Sequence, residues 1–152
     1  MGFIDNIKER ARKSIKTIVL PESEDIRTLK GAEIVIREKF AKIILLGNEE
    51  EIKKLASENN VSLDGIEIIN PIKSEKLDKY AHELYELRKN KGMTLESAEE
   101  ILKTNSRYFA TMMVKLGDAD GYVSGASHPT ADTLKPALQI IKGAPGVRTV
   151  SA

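Results

Sequence analysis

The residues best suited to binding a ligand lie in one loop, rich in serine and threonine, near the carboxyl end of the sequence. Hydroxyl side chains stand at Ser124, Ser127 and Thr130, and the small residues Gly125 and Ala126 separate the first two. Small residues allow close backbone approach, hydroxyls donate hydrogen bonds, and a following helix start offers unpaired N–H groups to an anion. The pattern therefore predicts an anion-binding loop, although capping loops at ordinary helix starts have the same composition.

A second candidate is a positive charge within an apolar helix face. Leu77 and Leu84 lie on this face, and at about 100° per residue Arg88 falls near its middle. Such an arginine either binds an anionic ligand or extends past its apolar neighbours to solvent at the helix end. Lys89 and Lys91 follow it, so a ligand that bears phosphate would be attracted to this end of the helix.

Metal and thiol chemistry have little support in the composition. The sequence has no cysteine, which excludes disulfides, thiolate catalysis and cysteine-bound zinc. Two histidines are present, and we expect His82 to be exposed on a polar helix face and His128, alone before a proline, to be a solvated turn residue. We therefore expect no metal site.

The charge balance narrows the class of partner. Lys plus Arg number 24 and Asp plus Glu 23, so the net charge of +1 creates no long-range field for nucleic acid or an acidic membrane. Neither the P-loop pattern nor the dinucleotide-binding glycine pattern occurs. The amino terminus has no signal-peptide core, and no apolar run is long enough to span a membrane, so we expect a cytoplasmic chain.

Strand and helix patterns alternate along the chain, which predicts the elements that position these residues. Short apolar runs bounded by Pro, Gly or Asn predict strands at 17–20, 42–46, 66–69 and 121–123. Helical patterns fall near 24–38, 49–59, 75–90, 94–103, 106–116 and 133–142. This alternation predicts a doubly wound, three-layer α/β/α domain with a mainly parallel sheet. The Ser124 loop would follow the fourth strand, at the sheet edge where such folds bind ligands.

Two local signals refine these elements. Phe109, Met112 and Met113 have helical spacing, so we expect them in the core rather than on a ligand-adaptable surface. Pro136 lacks an N–H and fits best in a first helical turn, which favours Thr133 as the cap and leaves Thr130 in the loop. Residues 147–152 look like the start of a further strand with nothing to cover it, which predicts a fragment or a chain that needs a partner.

In sequence order, several stretches resemble the phosphate acetyltransferases, or phosphotransacetylases. They are LPESEDIRTL at 20–29, LRKNKGMT at 87–94, YFATMMV at 108–114, DGYVSGA at 120–126, TADT at 130–133 and PALQIIK at 136–142. The resemblance implies acyl transfer between coenzyme A and inorganic phosphate, with CoA as a substrate and no permanently bound cofactor. It also implies a two-domain fold like that of the isocitrate and isopropylmalate dehydrogenases, a homodimer, and substrates in the cleft between domains.

The resemblance makes residues 1–152 the amino-terminal domain, with the catalytic residues in a carboxyl-terminal half. Arg88 matches a family arginine implicated in substrate binding. Lys135 stands where the family has another, which keeps the charge but loses the planar fork that grips phosphate. The predicted substrate-binding residues are therefore Arg88, Ser124, Gly125, Ser127, Thr130 and Lys135. Phosphate butyryltransferase, a non-catalytic module that binds CoA or another anion, and a plain α/β scaffold are the alternatives.

Overall fold

A computed structural model describes residues 2–147, in which helices cover both faces of a parallel sheet. The strands are β1 (Lys16–Leu20), β2 (Ala41–Leu46), β3 (Glu67–Ile69) and β4 (Gly121–Tyr122). The helices are α1 (Phe3–Lys13), α2 (Ile26–Arg37), α3 (Glu49–Glu58), α4 (Leu77–Arg88), α5 (Leu95–Thr104), α6 (Ser106–Lys115) and α7 (Thr130–Ile140). A 3₁₀ turn at Lys89–Lys91 extends α4.

The order of the strands creates a crevice at the carboxyl edge of the sheet. The order is β3-β2-β1-β4, and all neighbouring strands are parallel. The chain therefore winds from β1 toward β3 in one direction and later returns to place β4 on the other side of β1. Between β1 and β4 the winding direction reverses, and open α/β sheets bind ligands at such a point.

Side chains of β2 alternate between two hydrophobic cores, one on each face of the sheet. Ile43 and Leu45 pack with residues of α2 and α3, whereas Ile44 and Leu46 pack with residues of α4, α5, α6 and α7. Because a strand points successive side chains to opposite faces, the continuous apolar run 43–46 buries both of its sides. The predicted three-layer, doubly wound α/β architecture is confirmed.

The helices α4 and α6 run antiparallel, which fixes where Arg88 lies. The ammonium Nζ of Lys76, just before α4, lies 3.1 Å from Oδ1 of Asp118, just after α6, and the Tyr80 hydroxyl donates to Oδ2 of the same carboxylate. Asp120 N donates to Thr17 O beside this end of α6, at the amino edge of the sheet. The end of α4, with Arg88, therefore lies near the start of α6 at the opposite, carboxyl edge.

The predicted core position of one helix face is confirmed, and two helix ends have typical caps. Phe109, Met112 and Met113 are buried in the core, and Gly117 follows α6 with a left-handed φ of 82°. Thr94 caps α5 through a capping box, because its hydroxyl accepts from Ser97 N at 3.0 Å. A glycine after one helix and a hydroxyl residue before the other are residue types that commonly cap helices.

Two local predictions are incomplete or wrong. The helix α1 was not predicted; none of its residues is buried, and Arg12 attaches it through a stacking contact with Phe40. The last helix begins at Thr130 rather than after Thr133, and Pro136 lies inside it. Pro136 is buried on the same face as Ile140. Because proline has no N–H, the carbonyl of Asp132, four residues earlier, receives no helical hydrogen bond, but Asp132 is exposed to water.

Two further observations concern the ends of the chain and membranes. The strand predicted at 147–152 falls, except for Val147, outside the described residues, and Val147 itself is not in a strand. Within residues 2–147, no helix is both long and apolar enough to cross a bilayer.

Candidate anion-binding site

Two loops meet where the winding of the sheet reverses. One follows β1 at 21–25 and the other follows β4 at 123–129. Val123 N donates to Val19 O at 3.0 Å, so β1 and β4 remain adjacent up to this edge of the sheet. The Ser106 hydroxyl at the start of α6 donates to Pro21 O at 2.9 Å and holds the first loop in place. The predicted ligand loop therefore lies at the carboxyl edge of the sheet, as expected.

The donors of this loop converge on a carboxylate of the chain itself. Glu22 is 2% exposed, and its Oε1 accepts from the Ser124 hydroxyl at 3.0 Å, from Ala126 N at 2.9 Å and from Gly125 N. Its Oε2 accepts from Ser127, from both the backbone N and the hydroxyl at 2.8 Å. The loop predicted to bind an anion does hold one, but the anion is Glu22.

His128 completes this group, which we call the Glu22 cluster: Glu22, Ser124, Gly125, Ala126, Ser127 and His128. The Nδ1 atom of His128 lies 2.7 Å from Oε2 of Glu22, so the expectation of a solvated turn residue is wrong. Burial alone would raise the pKa of Glu22, but hydrogen bonds from His128, Ser127 and Ala126 hold that pKa well below its usual range. The carboxylate is therefore ionised at neutral pH.

The cluster has the residue types of a metal site but the hydrogen-bond pattern of an anion site. Ligand atoms of Glu22, Glu24 and His128 lie within 4.8 Å of one another. However, N–H groups of residues 125–127 point at the Glu22 oxygens and occupy the lone pairs that a cation would need. These groups fit a carboxylate held by donors better than a metal ion.

The remaining hydroxyl of the predicted site, Thr130, lies apart from the cluster. It is the first residue of α7 and is exposed, rather than part of the loop. Thr133, the predicted cap, donates its hydroxyl to Pro129 O at 3.1 Å inside the helix instead. The start of α7 has no side-chain cap, so its first N–H groups remain open to a ligand.

Arg88 and Lys135 lie on different helices, and only Arg88 lies close to Tyr108. Burial raises the pKa of the Tyr108 phenol, and the nearby charges of Arg88 and Arg107 oppose that rise. The phenol donates to Oε1 of Gln139 on α7 at 2.8 Å. Lys135 lies one turn before Gln139 on α7 and is exposed, whereas the charges that act on the phenol are those of Arg88 and Arg107.

One charged residue of this region was missed by the sequence analysis. Arg107, the second residue of α6, is only 8% exposed, and its Nε has no hydrogen-bond partner. It stands between Ser106, which contacts the first loop, and Tyr108, which faces Arg88. Its burial results from packing between helices and cannot be deduced from spacing. The sequence nevertheless contained one signal that Arg107 is unusual, because a cation in the first turn of a helix is unfavourable to the helix dipole.

Two cavities border the Glu22 cluster. A cleft of about 570 Å³ opens at the carboxyl ends of β1, β2 and β3, with polar lining residues that include Ser23, Asn48, Asn70 and Ser106. A second, apolar cavity of about 440 Å³ is lined by residues including Leu20, Val123 and Ala126 on the other side of the loop. Arg88 and Lys135 are outside the lining of both cavities. The candidate site is thus spread along one edge of the domain.

A parallel sheet flanked by helices, with its winding reversal between β1 and β4, makes this an α/β domain, a class that binds ligands at such a reversal. The sequence model of the phosphate acetyl/butaryl transferase family matches residues 2–152, and the chain belongs to that family. It is 52% identical to a phosphate acetyltransferase of Acetivibrio thermocellus and 55% identical to one of Thermoanaerobacterium thermosaccharolyticum. Each match covers 100% of this chain but 45% of the relative, so the chain spans about half the length of these curated relatives.

Solved structures give the same result. The EutD phosphotransacetylase from Staphylococcus aureus has a TM-score of 0.88 and 42% identity, with 96% of this chain and 44% of that chain covered. A phosphotransacetylase from Streptococcus pyogenes has a TM-score of 0.89 and 38% identity, with 98% and 46% covered. The family resemblance inferred from the sequence is confirmed.

Proposed function

We propose that residues 1–152 are the amino-terminal domain of a phosphate acetyltransferase. The observation that supports this proposal is the match to relatives of that name, at 52% and 55% identity over the whole chain. The reaction converts acetyl-CoA and inorganic phosphate to acetyl phosphate and CoA, or the reverse, without a permanently bound cofactor. The whole protein would act in the cytoplasm as a homodimer.

In the proposed reaction, the CoA thiolate attacks the carbonyl carbon of acetyl phosphate and inorganic phosphate departs. A general base takes the thiol proton, and cations stabilise the charge on the departing phosphate. Residues 1–152 contain no cysteine, so no thiol of this domain can take the acetyl group, and we assign the attacking sulfur to CoA. We place the general base in the part of the relatives that this chain does not cover.

This domain would form one wall of the substrate cleft. Arg88 and Lys135 supply positive charge for phosphate groups, and the open start of α7 at Thr130 adds N–H donors nearby. Ser124, Gly125 and Ser127 direct their donors to Glu22. We therefore propose that they act on substrate through the shape of the loop, whereas Arg88 and Lys135 contact it directly.

A chimera tests the proposal. The amino-terminal part of the Acetivibrio thermocellus relative that this chain matches is replaced by the 152 residues, which are 52% identical to it. Acetyl phosphate formation from acetyl-CoA and phosphate is then measured. We expect turnover by the chimera and none by the 152-residue chain alone. Robust turnover by the isolated chain would contradict the placement of the catalytic residues elsewhere. A folded but inactive chimera would count against the proposed wall.

Phosphate butyryltransferase is the second candidate, because the family description covers both acyl groups. The acyl-chain preference would depend on the residues that surround the acyl group in the whole protein. A higher kcat/KM for butyryl-CoA than for acetyl-CoA, measured on the natural full-length protein, would favour this candidate. Calorimetric binding of CoA without any turnover would favour a non-catalytic module.

A further inference from the structure

Arg107 is a buried cation without a compensating anion. The residue is 8% exposed, and its Nε is enclosed without a hydrogen-bond acceptor. Among residues 2–147, no carboxylate lies within 4.0 Å of its guanidinium. Arginines are rarely buried unless they are paired, since removal of a charge from water is costly.

The local helix increases this imbalance. Arg107 occupies the first turn of α6, where the helix dipole already places positive partial charge. That turn contains no acidic residue, and its cap is the neutral side chain of Asn105, which accepts from Arg107 N at 3.2 Å. Helix starts normally favour anions. A buried arginine at this position is therefore unfavourable in the unliganded domain.

A second cation lies nearby, because α4 packs against α6 and ends near the start of α6. Arg88, at the end of α4, is half-buried and acts on the Tyr108 phenol together with Arg107. Within the described residues, Arg88 likewise forms no ion pair. The phenol itself donates to the neutral amide of Gln139. Two guanidinium groups near the start of α6 thus lack an ion-pair partner among the described residues, in contrast to the Glu22 cluster, where the anion is built in.

We propose that Arg107 binds substrate together with Arg88, and that the two guanidinium groups hold one phosphate group at the start of α6. The inference deepens the proposed function and rests on it for the identity of the ligand. A guanidinium suits this task because its planar fork can form two parallel hydrogen bonds to phosphate oxygens. The phosphate group has two possible sources, inorganic phosphate or a phosphate of CoA.

The experiment measures binding and stability of the 152-residue chain. Inorganic phosphate, CoA and dephospho-CoA are titrated calorimetrically, and the melting temperature is recorded with and without each probe. The variants are Arg107→Met, which removes the charge, and Arg107→Lys, which keeps it without the fork. Arg10→Met is the matched control, because Arg10 is exposed on α1 at the opposite edge of the sheet.

We expect Arg107→Met to melt no lower than the wild-type chain without ligand, because it removes an uncompensated buried charge. The same variant should bind at least one of the three probes about tenfold to a hundredfold more weakly. The affinity of Arg107→Lys should lie between those of wild type and Arg107→Met, and Arg10→Met should bind like wild type. If the variants lose affinity for CoA but not for dephospho-CoA, the bound group is the 3′-phosphate of CoA. If they lose affinity only for inorganic phosphate, the bound group is inorganic phosphate.

Other results would overturn the inference. Wild-type affinity of Arg107→Met for all three probes would do so, as would a wild-type chain that binds none of them. If Arg107→Met does not fold, Arg107→Lys decides, since unchanged affinity in that variant removes Arg107 from the site. Weaker probe binding by Arg107→Met together with a folded but inactive chimera would support the inference and count against the proposed function, so the two can fail separately.

Discussion

Glu22 and His128, which are separated by 106 positions in the sequence, meet at 2.7 Å between a carboxylate oxygen and an imidazole nitrogen. This contact completes a cluster in which one buried carboxylate accepts hydrogen bonds from the hydroxyls of Ser124 and Ser127 and from the backbone N–H groups of residues 125–127. Glu22 therefore acts as a positioning residue, because it sets the conformation of a loop at the carboxyl edge of the sheet. The loop needs no ligand to hold its shape.

The first prediction concerns the stability that this cluster provides. Glu22→Gln should reduce the free energy of unfolding by about 3 kcal/mol or more, because several buried donors lose an ionised acceptor. Urea unfolding at neutral pH measures the change. Glu24→Gln is the matched control, since it removes the same charge from an exposed neighbour and should cost far less. Equal losses in the two variants would contradict the role of Glu22.

The second prediction follows from the lowered pKa of Glu22. Hydrogen bonds depress that pKa in the folded state, whereas the unfolded state has an ordinary value of about 4.3. The unfolded state then binds the proton first, so the stabilisation is fully present above about pH 4.3 and is lost as pH falls toward the folded pKa. Unfolding measured between neutral and acidic pH should show a steeper acid loss for wild type than for Glu22→Gln, and parallel curves would refute this.

The third prediction concerns Arg88. In the full-length protein or the chimera, Arg88→Ala should raise KM for CoA or acetyl phosphate about tenfold or more, because a charged hydrogen bond to phosphate is lost. Lys89→Ala is the control, since Lys89 is exposed and pairs with Glu86 at 2.7 Å. Steady-state kinetics with both substrates varied would measure the effect. Unchanged kinetics in Arg88→Ala would remove it from the site.

The fourth prediction concerns Lys135, which bears the charge of the family arginine without its geometry. Lys135→Arg should lower KM for the phosphate-bearing substrate, because a guanidinium can contact two phosphate oxygens at once. Lys135→Met should raise the same KM through loss of charge. The residue is exposed on α7, so neither change should disturb folding, which circular dichroism can check. The same KM in both variants would show that Lys135 does not meet the substrate.

The fifth prediction compares two glycines. A Cβ at Gly47 would lie 2.6 Å from Oγ of Ser23, which donates to Leu46 O, and the φ of Gly47 is 150°. Gly47→Ala should therefore destabilise the domain and disturb the polar cleft beside it. A Cβ added at Gly31, inside α2, would meet no atom within 4 Å, so Gly31→Ala should stabilise the domain by up to about 1 kcal/mol. Thermal unfolding would show opposite shifts; a stabilised Gly47→Ala variant would contradict the close approach.

The sequence predicted the layered fold because its signals are local. The apolar run 42–46 and the stripe of Phe109, Met112 and Met113 each specify their own element. The position of the Ser124 loop at the carboxyl edge followed from strand order along the chain. For the same reason α1 was missed, since it buries no residue, and α7 was started too late, since the burial of Pro136 depends on packing.

The partners of the predicted site residues could not be read from spacing. Glu22 lies in the family-like stretch 20–29 and Ser124 in the predicted loop, but their contact depends on β1 and β4 being neighbours in the sheet. Arg107 stood inside a recognised helix start, and only the packing of α4, α6 and α7 shows that it is buried. Residue types within short segments thus predicted the loop and the cation at Arg88. The groups that contact each of them depend on tertiary packing.

The Glu22 cluster also has a consequence for the order of folding. Its contacts join the loop after β1 to residues about one hundred positions later, and the β1–β4 pairing spans a similar separation. Closure of such a long loop is entropically unfavourable until other contacts have brought its ends together. During synthesis, the helices and strands before β4 can collapse first, while Glu22 must wait for residues 124–128 to emerge from the ribosome. The candidate binding edge is therefore among the last parts of this domain to reach its native form.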